Sequence, residues 1–140
     1  SVQLLLKEIN KEIEAAMQWE SLKPYAETLQ KETMRVGQVI QHLGKIAMLG
    51  DKERFLSDAN LFMDLFSLLV LSWQWLKQGV VAQQKLDQNP TGEEKLFLES
   101  KIHTMAFFFA YELVKTKSLA ARLMDERVYT LPNLENELLR

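Results

Sequence analysis

The segment from residue 61 to residue 82, LFMDLFSLLVLSWQWLKQGVVA, is the most apolar part of the 140-residue chain. A helix that crosses a membrane needs about 20 consecutive apolar residues. Asp64 and Lys77 lie inside the segment and limit its uncharged run to residues 65–76, and charged side chains are rare within membrane spans. The sequence therefore predicts a helix of a water-soluble fold, with no membrane span.

This helix is apolar on more than one side. Residues spaced three and four apart form one apolar stripe: Leu61, Leu65, Leu68, Ser72, Leu76 and Gly79. A second stripe lies beside it: Phe62, Phe66, Val70, Trp73 and Val80. A surface helix of a small domain needs only one such stripe. We therefore expect this helix either to run through the middle of a helical assembly or to cover a partner with its second face.

Turn signals divide the rest of the chain into long helices. We predict helices over residues 2–19, 22–49, 52–86 and 92–117, the last extending to 125 if its pattern continues. Ser21 is expected to cap the second helix ahead of Pro24. Gly50 and Asp51 mark a tight connection into the third helix.

The clearest loop is DQNPTG, residues 87–92, where Thr91 and Glu94 form the signature of a capping box. Long helices joined by short loops must fold back on one another. The predicted fold is therefore all-α, an antiparallel up-and-down four-helix bundle with long helices. We expect residues 1–140 to form a single domain whose last segment, residues 126–140, is a frayed tail after the helices.

Composition excludes several classes of function. The formal net charge is -2, with 17 Lys and Arg against 19 Asp and Glu, so no strongly basic surface is expected and a nucleic-acid partner is disfavoured. The absence of cysteine excludes disulfides, thiolate metal sites and a cysteine nucleophile. It fits a reducing compartment, with the cytoplasm as the default and an organelle matrix as the alternative. The chain has no Met before Met17, which favours a fragment or a processed product.

The sequence contains no motif typical of a carboxylate-bridged metal site or a phosphate-binding loop. Carboxylate-bridged iron sites in four-helix bundles use Glu-x-x-His pairs, but Glu99 stands four residues before His103 and His42 has no acid nearby. The five glycines are too dispersed to form a phosphate-binding loop. Asp64 could act as an acid or base in an apolar setting, although an ion-paired acid is the more common case. We therefore predict no catalytic, cofactor-binding or metal-binding residue in this chain.

Aromatic residues are the remaining candidates for function. Phe107, Phe108 and Phe109 are consecutive and point about 100° apart, so they cannot all face one core. Aromatic side chains at helical spacing usually form a core, and a ligand-binding box is the alternative. Since aromatic residues are also enriched at interfaces, the interface candidates are Phe62, Phe66, Trp73, Trp75, Phe107 and Tyr111.

The third and fourth helices also resemble a known family. They read FLSDANLFMDLFSLLVLSWQWLKQGVVAQQKL and, after the loop, FLESKIHTMAFFFAYELVKTKSLAARLMD. These segments are similar to the helical C-terminal extension domain of the larger FAD-dependent acyl-CoA dehydrogenases. The residues that match the family pattern are Phe62, Phe66, Trp73, Ala82, Lys101, Thr104, Phe107 and Phe108. Two positions depart from it: Ser72 replaces a Gly that usually precedes the Trp, and Ala106 stands where an Arg is common.

This resemblance implies a non-catalytic accessory domain. The parent enzyme would oxidise an acyl-CoA thioester to the enoyl-CoA with FAD, and the catalytic base and the flavin contacts would belong to a preceding core. No cofactor is therefore expected in this fragment. The expected partners are the catalytic core of the parent chain and further copies in a homo-oligomer. The alternative is an independent helical module that binds a partner protein or an acyl chain.

Overall fold

The computed structural model describes residues 1–125 of the chain. In that range the chain forms helices and no strand: α1 Val2–Ala16, α2 Lys23–Met48, α3 Lys52–Leu86, α4 Gly92–Tyr111, a 3-10 turn Leu113–Lys115, and α5 Thr116–Met124. The four long helices form the all-α bundle that the sequence predicts, and the short α5 packs against α2 and α3. The predicted tail, residues 126–140, lies outside the described residues.

Helix α3 begins and ends at the residues that the turn signals predict. Gly50 lies in the short connection between α2 and α3 and has a φ of +82°, a conformation that residues with a Cβ rarely adopt. The Asp51 carboxylate accepts a hydrogen bond from the Arg54 backbone N–H at 3.1 Å. This contact satisfies one of the N–H groups that a helix leaves unpaired at its start.

The end of α1 and the start of α2 differ from the prediction. The first helix was expected to reach residue 19, but it ends at Ala16. Ser21 is not the N-cap of α2, because Leu22 occupies that position and makes no side-chain cap. The Ser21 hydroxyl instead donates to Gln83 Oε1 near the end of α3, at 2.9 Å. A tertiary contact has therefore replaced the local capping bond.

Helix α4 is shorter than the predicted range of 92–117. It ends at Tyr111, and the chain passes through the 3-10 turn before α5 begins at Thr116. Thr91 occupies the N-cap position, as predicted, but its side chain makes no capping hydrogen bond. Leu113 and Thr116 are both buried and follow the buried Phe109 at spacings of four and three residues, so the buried side of α4 continues through the turn.

Helix α3 lies at the centre of the bundle, where it packs against α1, α2, α4 and α5. Its fully buried side chains include Leu65, Leu69 and Leu76. By length and composition alone α3 could also cross a membrane, since one window of 18 residues has a mean hydropathy of 1.5. The core helix of a soluble protein meets the same criterion, so the absence of a membrane span stays a prediction.

Two acidic side chains are buried that the sequence pattern did not single out. Glu32 in α2 is 4% exposed and Asp58 in α3 is 1% exposed. The Glu32 carboxylate lies 3.2 Å from Arg35 Nε, and the Asp58 carboxylate lies 3.5 Å from Arg122 Nη2. Asp64, which was expected to face apolar surroundings, is exposed.

Candidate docking face on helices 3 and 4

Phe62 and Phe66, in the first half of α3, are half-buried. The Phe62 and Phe66 rings are stacked with their centroids 5.8 Å apart, and both rings pack against the core. They line the side of α3 rather than standing free in solvent. Their assignment to an interface stays a prediction.

The two tryptophans of α3 occupy different surroundings. Trp73 is half-buried, its Nε1 is buried with no hydrogen-bond partner among residues 1–125, and Lys77 Nζ lies 5.5 Å from its ring centroid. Trp75 packs on the other side, where its ring centroid is 6.4 Å from that of Phe108 in α4. Both rings contact the core, so neither is a freely exposed anchor.

Phe107 and Tyr111 are the exposed members of the predicted set. Phe107 is 55% exposed and Tyr111 is 63% exposed, and their ring centroids are 4.5 Å apart. Phe109 is buried and meets the Tyr25 ring of α2 edge-on at 5.5 Å. The three consecutive phenylalanines therefore point to different surroundings, because successive residues of a helix are rotated by about 100°.

Phe107 and Tyr111 belong to a longer exposed surface, here called the α3–α4 face. Its α4 side consists of exposed residues three or four apart: Phe97, Ser100, Thr104, Phe107 and Tyr111. Its α3 side has the same spacing: Asp64, Ser67, Leu71, Gln74, Gln78, Val81 and Lys85. This alternation of three and four is the spacing by which one helix presents a seam to another. The predicted interface candidates did not include Phe97, which is 59% exposed. Its position 14 residues before Tyr111, about four helical turns, would have indicated that both lie on one side of the helix.

Two open grooves lie along α3 at opposite ends of this face. One lies between α3 and α4, and the other lies between α3 and the 3-10 turn and α5 that follow α4. The first, the lysine groove, has a cavity volume of about 250 Å³ and is lined by apolar residues and three lysines: Val81, Ala82, Phe97, Leu98, Lys77, Lys85 and Lys101. The second, the acidic groove, has a volume of about 520 Å³ and includes two acids and one lysine: Asp64, Glu112, Lys115, Leu68, Leu71 and Leu119. The face therefore carries opposite charge at its two ends.

The lysine groove is held in place by contacts along both helices. Lys101 Nζ donates to Gln78 Oε1 at 3.2 Å and lies 5.4 Å from the Phe97 ring centroid. Lys77 also interacts with Glu12 of α1. Burial of Glu12 raises the pKa of its carboxyl, and the positive charge of Lys77 partly opposes that rise. The groove can therefore attract anionic or acidic groups, but it contains no nucleophile next to a base.

The prediction that this chain has no catalytic or cofactor-binding residue stays a prediction. Within residues 1–125 no group of three or more His, Asp or Glu side chains could hold a metal ion. His42 and His103 are separate single residues on α2 and α4. The arrangement offers packing surfaces and charge, and we assign no catalytic or cofactor-binding residue to it.

The two departures from the family pattern have distinct settings. Ser72 is fully buried in α3, and its hydroxyl donates to the Leu68 carbonyl at 2.7 Å. The serine is thus satisfied within its own helix. Ala106 is half-buried on α4. Because alanine has no ionisable group, this position supplies no charge where relatives carry an Arg.

Comparison with known proteins agrees with these helices. The family described as acetyl-CoA dehydrogenase C-terminal like matches residues 5–131 of the 140-residue chain. No curated protein sequence matches this chain. The family match extends over all five helices and is wider than the region around α3 and α4 on which the resemblance rested. This chain therefore belongs to the family of acetyl-CoA dehydrogenase C-terminal-like domains.

Proposed function

We propose that this chain is the non-catalytic accessory domain of an FAD-dependent acyl-CoA dehydrogenase and that its α3–α4 face packs on the catalytic core or on a neighbouring subunit. The observation that carries this proposal is the exposed aromatic pair Phe107 and Tyr111 on a helix with few buried residues. Of the 20 residues of α4, only Leu98, Met105 and Phe109 are buried. A helix that is apolar on its outer side as well as its inner side is expected to have a second partner.

The proposed parent enzyme removes hydrogen from the α and β carbons of an acyl-CoA and passes a hydride to FAD. That chemistry needs a base and a flavin pocket, and we propose that both belong to a part of the enzyme outside this chain. We therefore assign the flavin to the core of the parent enzyme. The role of this domain is to cover apolar surface and to stabilise the assembly.

The test is to express the protein from its own gene and to examine it for flavin and activity. The proposal predicts a flavin absorption band and acyl-CoA-dependent reduction of an electron acceptor. Deleting residues 1–140 should then lower the thermal stability of the assembly or change its solution mass. A gene product that holds no flavin and reduces no acceptor would contradict the proposal.

One observation favours the second candidate, an independent module that binds an acyl chain. The lysine groove combines the apolar side chains of Val81, Ala82 and Phe97 with three ammonium groups, and this combination suits a fatty carboxylate. The cavity of about 250 Å³ is below the usual range of about 300–1,000 Å³ for small-molecule sites, so we place this function second. Calorimetric titration of the chain with dodecanoate distinguishes the two, because saturable binding supports only the module.

A further inference from the structure

We propose that the α3–α4 face binds the same face of a second copy of this chain, in antiparallel orientation, so that the lysine groove of each copy meets the acidic groove of the other. This inference shares one premise with the proposed function, namely that the α3–α4 face is a docking surface, and it does not depend on the flavin chemistry. The two-fold axis of the pair would pass between Gln74 and Phe107. The partner is therefore a second copy, and the interface is isologous.

The positions of the two grooves fit this symmetry. Along α3 the acidic groove is lined by residues 64–71 and the lysine groove by residues 74–85. Along α4 and its continuation the lysine groove is lined by residues 97–101 and the acidic groove by residues 112–119. Each groove centre is therefore about 10 Å from the middle of the face, at about 1.5 Å per residue. A half-turn about that middle places one groove on the other.

Charge supports the same pairing. Lys77, Lys85 and Lys101 make no ion pair with any residue in the range 1–125. At the opposite end Asp64 is also without an ion pair in that range, whereas Glu112 is bound to Lys115 at 2.8 Å. Antiparallel pairing brings Lys85, Lys101 and Lys77, whose charge also acts on Glu12, against an end with two carboxylates and one lysine, and it does so twice in each dimer. Parallel pairing would instead bring lysine against lysine.

The middle of the face supplies the apolar anchor. Phe107 and Tyr111 form an exposed aromatic pair there, and such residues dominate the centres of interfaces. Two adjacent helices expose a strip about 30 Å long and about 20 Å wide, or about 600 Å² per copy. The dimer would bury about 1,200 Å² in total, at the lower limit of specific interfaces. We therefore expect a reversible dimer.

The charge pattern favours a second copy over an anionic lipid surface. Such a surface would attract the lysine groove but would repel Asp64 and Glu112 at the other end of the same face. A second copy satisfies both ends at once. Binding to anionic vesicles without self-association is accordingly one of the outcomes that would overturn the proposal.

The experiment uses two charge-reversal variants of the chain and their mixture. The first variant carries Lys77→Glu, Lys85→Glu and Lys101→Glu. The second carries Asp64→Lys and Glu112→Lys. Each variant alone has like charges at both contacts, whereas a heterodimer of the two has opposite charges at both. Sedimentation equilibrium of each variant and of the mixture gives the dimer dissociation constants.

The expected result is a wild-type dimer whose Kd rises with salt, since exposed charges are screened. Each variant alone should dimerise at least about tenfold more weakly, and mixing the two should restore dimers. A matched control, Lys7→Glu with Lys31→Glu and Lys45→Glu, makes the same change of charge on exposed positions of α1 and α2 and should dimerise like the wild type. Circular dichroism confirms that every variant is folded.

Three outcomes would overturn the second-copy proposal. One is a wild-type mass of 16.3 kDa at every concentration up to about 1 mM, well above the micromolar Kd at which a weak specific dimer forms. Another is a mixture of folded variants that stays monomeric. The third is vesicle binding by a chain that does not self-associate. None of these outcomes decides the flavin test, so failure here and failure of the proposed function are distinguishable.

Discussion

Thr116 Oγ1 lies 2.6 Å from Glu32 Oε2, in a buried contact between α5 and α2 that joins residues 84 positions apart. The same hydroxyl lies 2.6 Å from the Leu113 carbonyl. Arg35 Nε is 3.2 Å from the Glu32 carboxylate. The buried carboxylate is therefore held by one cation and one hydroxyl, and this contact fixes α5 on the bundle.

Thr116→Val should destabilise the fold by about 1–3 kcal/mol, because it removes a hydrogen-bond donor from a buried carboxylate without changing the shape of the side chain. Urea unfolding followed by circular dichroism measures this change. The matched control is Thr28→Val, because Thr28 is exposed on α2, outside the α3–α4 face, and its hydroxyl donates to the Pro24 carbonyl at 2.9 Å. The control should change the free energy of unfolding by less than about 0.5 kcal/mol. Equal effects of the two substitutions would show that the Glu32 contact contributes nothing.

Asp58 and Arg122 provide a second test of the buried charges. The Asp58 side chain is 2% exposed and the Arg122 side chain is 44% exposed, so removing the arginine leaves a buried carboxylate without its cation. Arg122→Gln should cost about 1–3 kcal/mol in the wild type, less than the loss of a fully buried partner because Arg122 is partly solvated. The same substitution should cost less in an Asp58→Asn background. A double-mutant cycle measures the coupling, which we expect to be about 1 kcal/mol or more, and a coupling of zero would contradict this account.

Gly79 in α3 tests the packing between α3 and α4, and Gly37 in α2 serves as the comparison. A Cβ at Gly79 would lie 2.6 Å from Met105 Sδ, whereas a Cβ at Gly37 would meet no atom within 4 Å. Gly79→Ala should therefore destabilise the fold by about 1–3 kcal/mol through overpacking. Gly37→Ala should stabilise it by about 0.4–1 kcal/mol, since alanine is favoured inside a helix. Thermal unfolding of both variants gives the comparison, and stabilisation by Gly79→Ala would contradict the close approach.

Glu12 should make stability depend on pH. Burial raises the pKa of its carboxyl above the ordinary value of 4.5, against an opposing effect of Lys77. A raised pKa means that the folded state favours the neutral acid. The contribution of this group is therefore most favourable below pH 4.5 and is lost as the pH rises through the folded-state pKa. Glu12→Gln should stabilise the fold at pH 7.

This gain from Glu12→Gln should shrink as the pH falls through the folded-state pKa of Glu12 and should be almost gone below pH 4.5. Urea unfolding across the pH range measures it, with Glu14→Gln as the control because Glu14 is exposed on the same helix. A gain that does not depend on pH would contradict the assigned cause.

The positions of turn-forming and helix-capping residues explain which parts of the fold could be predicted. Helix α3 was placed correctly because Gly50 and Asp51 mark its start and the loop DQNPTG follows its end. The end of α1 was missed because no Gly or Pro marks it. There the chain turns through tertiary contacts, including the bond from Trp19 Nε1 to Asp87 Oδ2 at 2.8 Å. Such contacts join residues far apart in sequence and leave no local pattern.

The docking face was only partly predictable for a related reason. The apolar excess of α3 and α4 indicated a second partner, but half-buried and exposed aromatics have the same helical spacing. The structure separates Trp73 and Trp75, which contact the core, from Phe107 and Tyr111, which are exposed. The buried acids could not be predicted, because an acid in a helical pattern usually faces solvent.

The most direct test of the central claim is the chemical accessibility of the α3–α4 face in the protein as its gene encodes it. Because residues 1–140 contain no cysteine, Thr104→Cys places a single thiol of this chain at the middle of the face. Gln38→Cys places one on an exposed position of α2 as the control. Maleimide labelling, followed by mass spectrometry of the peptides, gives the two rates under native and denaturing conditions.

If this face is covered, the thiol at position 104 should react at least about tenfold more slowly than that at position 38, because interface centres exclude water. The two rates should become equal on denaturation. Equal rates in the native protein would show that the face is open to solvent and would contradict the claim.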